Sequence, residues 1–108
     1  MEAISLLKRE LTAAFFHVYL CLESKSITIS RIENHLCTIK VLQDSVTELT
    51  TLSNGFDGIS REVERLANLR DINIRQLEDL KIQLEYQSVE YANGKDEYDK
   101  LIKSISEV

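Results

Sequence analysis

Counted in sevens from Leu49, the C-terminal half of this chain keeps one line of apolar residues, the pattern of a helix packed on other helices. The first slot of each seven reads Leu49, Phe56, Val63, Arg70, Leu77, Leu84, Tyr91, Tyr98 and Ile105. The fourth reads Leu52, Ile59, Leu66, Asn73, Leu80, Gln87, Gly94, Leu101 and Val108. Only Arg70, Asn73, Gln87 and Gly94 are neither apolar nor aromatic. The chain is 44% hydrophobic overall, so an arbitrary register would fill fewer than half of these slots. A repeat averaging 3.5 residues keeps a seam facing a neighbouring helix along its whole length. Leu69, Ile72, Ile74, Ile82 and Val89 fall beside the seam, which favours a bundle of several helices over a plain two-stranded rod.

Composition removes the usual obstacles to long helices. There is no proline in 108 residues, and only three glycines, Gly55, Gly58 and Gly94. Proline lacks the N–H and clashes one turn back, so its absence leaves helices free to run on. A chain this short buries a thin core and often leans on a partner for stability.

Upstream, Ile4, Leu7, Leu11, Ala14, Val18 and Leu22 recur at helical spacing, and Phe15, Phe16, Leu20 and Cys21 widen that face. A helix apolar over most of its circumference needs neighbours on several sides. This first helix is expected over 3–24. Residues 24–30, rich in Ser and β-branched side chains, predict a break. Ser30 and Glu33 form a capping-box pattern that would open a second helix over 31–53, with Ile32, Leu36, Ile39, Leu42, Val46, Leu49 and Leu52 as its stripe. A third helix is expected over 59–107.

Ser53-Asn54-Gly55-Phe56-Asp57-Gly58 carries a turn signal, yet the seven-residue phase runs through it. It therefore reads either as a reversal or as a bend in a continuing helix. At Asn93-Gly94 the phase also continues. Asp96 with Lys100 and Asp99 with Lys103 are acid-first pairs one turn apart, so helix is expected to persist there.

The formal net charge is −5, unevenly spread: −1 over residues 1–54 and −4 over residues 55–108. Direct nucleic-acid binding needs a basic face, and the Arg61, Arg65, Arg70, Arg75 group is diluted by Glu62, Glu64 and Asp71. The uncharged run Leu11–Leu22 is too short to span a bilayer, which takes about 20 residues. No secretory signal is expected, and Cys21 and Cys37 read as buried thiols of a reducing, intracellular compartment, cytoplasmic or nuclear.

Chemistry-bearing constellations are sparse. His17 and Cys21, four apart, share a helix face, but His35 and Cys37, two apart, do not, and the paired spacing of a structural zinc site is missing. A Cys21–His17 nucleophile pair has no accompanying oxyanion hole or phosphate-cradling loop. No metal, cofactor, small-molecule substrate or catalytic residue is expected. Tyr86, Tyr91 and Tyr98 read as packing residues.

Arg70 and Asn73 stand in the seam as a register device, because buried polar groups pair in one alignment only. One polar layer at Arg70 inside an apolar seam resembles the SNARE motif over about residues 49–101, which implies four-helix packing and a membrane-tethering role. The chain departs from that pattern with a second polar layer at Asn73 and with Gly94 in the seam.

The expected architecture is therefore all-α: an elongated helical hairpin or three-helix bundle with coiled-coil packing, one domain over 1–108. The expected role is a non-catalytic scaffold or adaptor subunit of a hetero-oligomeric helical complex. Partners would bind at Leu49, Leu52, Phe56, Ile59, Val63, Leu66, Leu77, Leu80, Leu84, Leu101 and Ile105. The alternative is a self-contained bundle or homodimer that takes a partner helix in a groove.

Overall fold

The computed structural model describes residues 2–53 and 56–107. It is all-α, with two helices, α1 (Glu2–Ser53) and α2 (Asp57–Ser106). Asn54, Gly55 and Val108, which carried part of the expected turn and the last seam slot, lie outside the described residues.

The expected break at 24–30 does not occur, and two helices stand where three were expected. Ser30 sits inside α1, so the capping box with Glu33 is not used. The burial pattern gives the reason. The inward positions of α1 run Ile4, Leu7, Leu11, Ala14, Val18, Cys21, Lys25, Thr28, Ile32, His35, Ile39, Leu42, Val46 and Leu49, alternating steps of three and four without a fault. Lys25 and Thr28 carry the seam straight through the apparent break. The Thr28 hydroxyl donates to the Ser24 carbonyl at 3.1 Å and is enclosed, with 1% exposure. Poor helix formers differ from good ones by only about 0.5 kcal/mol per residue, less than an unbroken packed face contributes.

The same count corrects the expected stripes. Leu22 and Leu36, expected inside, are exposed, and the smaller or more polar Cys21 and His35 take the inward positions beside them. Cys37, expected buried, is exposed, and both cysteines are free thiols.

On α2 the expected seam is realised from Ile59 to Ile105. Ile59, Val63, Leu66, Arg70, Asn73, Leu80, Leu84, Gln87, Tyr91, Tyr98, Leu101 and Ile105 are half-buried, and Leu77 is buried. Leu52 and Phe56, placed in the seam by the seven-residue count, are exposed, at 57% and 66%. Phe56 is the cap residue of α2: its carbonyl accepts from the N–H groups of Ile59 and Ser60 at 3.1 and 3.0 Å. Leu49 and Leu52 belong to α1, whose own phase turns Leu49 inward and Leu52 out. α2 opens on Asp57 and ends near Lys103, charges that complement the helix dipole.

The chain divides into two compact units, Met1–Thr28 with Gln83–Val108, and Ile29–Ile82. Each unit pairs a stretch of α1 with a stretch of α2 running antiparallel. In the first, Phe15 meets Tyr98, His17 meets Gly94 and Lys25 meets Tyr91. In the second, His35 meets Asn73 and Gln43 meets Arg70. The chain therefore reverses between Ser53 and Asp57.

Candidate functional site

In the Ile29–Ile82 unit the two expected register residues have partners across the pair. Asn73 donates its amide N–H to the Leu69 carbonyl at 2.9 Å, which leaves its Oδ1 as acceptor. The Oδ1 lies 2.9 Å from His35 Nδ1, so the imidazole donates there. Arg70 donates to Gln43 Oε1 at 2.6 Å and to Asp71 Oδ1 at 3.1 Å. Both groups thus reach a polar atom on α1. On the outer side of α2, the Arg65 guanidinium forks onto Glu62, and that hydrogen bond holds the Glu62 carboxyl below its ordinary range.

The Met1–Thr28 and Gln83–Val108 unit is held differently. Gly94 is where the helices approach closely: a Cβ there would lie 2.9 Å from His17 Cδ2 and 3.6 Å from Val18 Cγ2. The missing side chain lets the imidazole seat against α2. His17 Nε2 stands 3.8 Å from Cys21 Sγ, a weak contact one helical turn apart. The Lys25 amine sits 4.9 Å above the Tyr91 ring. Gln87 Oε1 is buried with no hydrogen-bond partner among the described residues. Among those residues no group of three His, Cys, Asp or Glu side chains could hold a metal ion, and no helix is long and apolar enough to cross a membrane.

What α2 leaves uncovered is the outward side of α1. Between Glu10 and Glu23 the chain has no charged residue. Leu11, Ala14, Val18 and Cys21 turn inward along this stretch, and Phe15, Phe16, Tyr19, Leu20 and Leu22 stay exposed, Phe16 at 57% and Leu20 at 58%. Phe15 partly folds down, its ring 6.3 Å from Tyr98 and 5.8 Å edge-on to Phe16. Ile27 extends the exposed apolar surface by two turns. Isolated exposed leucines are ordinary, but a contiguous patch of large side chains marks an association surface.

The sequence signalled this surface by the breadth of the apolar face around Phe15 and Phe16. Of the residues named from the seam as partner-binding, Ile59, Val63, Leu66, Leu77, Leu80, Leu84, Leu101 and Ile105 are half-buried or buried on α2, Leu49 turns inward on α1, and Leu52 and Phe56 are exposed; the broader exposed apolar surface lies on α1. Comparison with protein-family models, with curated proteins and with solved structures finds no match to this chain.

Proposed function

We propose that this chain is a non-catalytic subunit of a larger helical assembly. Coiled-coil packing of α2 on α1 closes the seam within the chain, with the His35–Asn73 and Arg70–Gln43 contacts fixing its alignment. The outward face of α1 then receives helices from outside. The observation that carries this reading is the exposure of Phe15, Phe16, Tyr19, Leu20 and Leu22 on a stretch without charge. Fully burying such a side chain is worth about 1.5–3 kcal/mol, so covering the exposed half of each contributes about 1 kcal/mol. Five together approach the net stability of a small domain.

The test is native mass spectrometry of the tagged chain recovered from its source, beside a Leu20→Glu variant. The expected result is that the variant keeps its helical content and loses the associated helical chains. Unchanged association in the variant would overturn the proposal.

A further inference from the structure

We infer that the outward face of α1 is covered by a second copy of this chain, packed antiparallel about a two-fold axis at Phe16. The inference rests on the assembly reading above and names the occupant of the same face. Arg9, Phe16 and Glu23 are seven residues apart, so they lie in one line along α1, on the side opposite its seam. All three are exposed. Arg9 and Glu23 stand about 10.5 Å to either side of Phe16 and carry opposite charges, while Thr12, Ala13, Phe16, Tyr19 and Leu20 between them are uncharged.

Such a face is complementary to itself in one orientation. Antiparallel pairing centred on Phe16 sets Arg9 opposite Glu23 of the second copy, and Glu23 opposite its Arg9. On its two flanks it also sets a small residue against a large one, Ala13 against Leu20 of the second copy and Thr12 against its Tyr19, twice over. Parallel pairing would set Arg9 against Arg9 and Glu23 against Glu23, which is repulsive. A two-fold dimer uses one patch on both subunits, so it requires this self-matching. A helix of unrelated sequence does not.

Sedimentation equilibrium at low salt tests the inference with Arg9→Glu, Glu23→Arg and the double variant. The wild type is expected at twice the monomer mass. Each single reversal creates two like-charge pairs and is expected to weaken the dimer about tenfold or more, and the double reversal to restore it to within about threefold. A second arm needs no charge change: Phe16→Cys in a Cys37→Ser background is expected to form an intermolecular disulfide under mild oxidation, and Ile27→Cys is not. Equal dimerisation of all charge variants overturns the two-fold arrangement, as does absence of the Phe16→Cys cross-link. A monomeric wild type that still loses other helical chains on Leu20→Glu overturns the second copy and leaves the assembly reading standing. A Leu20→Glu variant that keeps every association overturns the assembly reading itself.

Discussion

Truncating Leu77 to alanine is the sharpest test of the seam. At 6% exposure, Leu77 is one of the few buried apolar side chains among the described residues. The substitution removes three carbons, worth about 2.4 kcal/mol at about 0.8 kcal/mol per methylene. Alanine returns a few tenths through its better helix propensity. A two-helix interface is open on its flanks, so neighbouring side chains close around the gap and the added cavity term stays small. The net expectation is a loss of about 2 kcal/mol, or a melting temperature about 10 °C lower. Ile82→Ala is the control, removing a similar aliphatic volume from the same helix at 66% exposure, and should change stability by less than about 0.5 kcal/mol. Urea denaturation followed by circular dichroism, at one protein concentration, measures both. Equal costs at Leu77 and Ile82 would refute the assignment of the seam.

Other consequences follow from single contacts. A double-mutant cycle on His35→Leu and Asn73→Leu should show a coupling of about 1 kcal/mol in urea denaturation, since either single change strands a polar group in the layer. Gln87→Leu removes a buried, unpaired carbonyl oxygen and should raise stability by about 1 kcal/mol, read from the urea midpoint. Gly94→Leu must displace His17 and should lower stability by about 1–3 kcal/mol in the same assay. The Glu62 carboxyl, lowered by its hydrogen bond to Arg65, favours the fold above the ordinary glutamate pKa, and that contribution fades as pH falls through the lowered value. The pair lies at the surface, so its contribution should vanish in high salt, and Glu62→Gln should leave the pH dependence of stability unchanged there.

The seam of α2 was legible in the sequence because its slots are filled by large apolar residues at fixed spacing, from Ile59 to Ile105. The seam of α1 was not. Its inward positions include Lys25, Thr28 and His35, while the larger Leu22 and Leu36 lie next to it and point outward. Ranking residues by hydrophobicity therefore drew the stripe one position off at Leu22 and Leu36, and the Ser and β-branched content of 24–30 placed a break there. Counting back from Ile32 in steps of four and three, through Thr28, Lys25 and Cys21 to Val18, recovers the continuous helix. What decides is the helix geometry shared by the whole face rather than the polarity of a few members.

Leu52 and Phe56 lie outside the packed seam for a different reason. The seven-residue phase of α2, extended backwards, passes into the end of α1, where it no longer describes one helix. Phe56 spends its carbonyl on capping α2, and its ring is left outside. The outward face of α1 was legible as a surplus, since one neighbouring helix covers only part of so wide an apolar surface. Its self-matching charges emerged only once the structure turned Arg9, Phe16 and Glu23 away from α2.

Carbene footprinting of the full chain across a dilution series addresses the central claim directly. Phe16, Tyr19 and Leu20 should become protected as concentration rises, while Leu77 stays protected and Tyr86 stays labelled throughout. Constant labelling of Phe16 across the series, or labelling of Leu77 that grows on dilution alongside it, would contradict a seam closed within one chain beneath a docking face on α1.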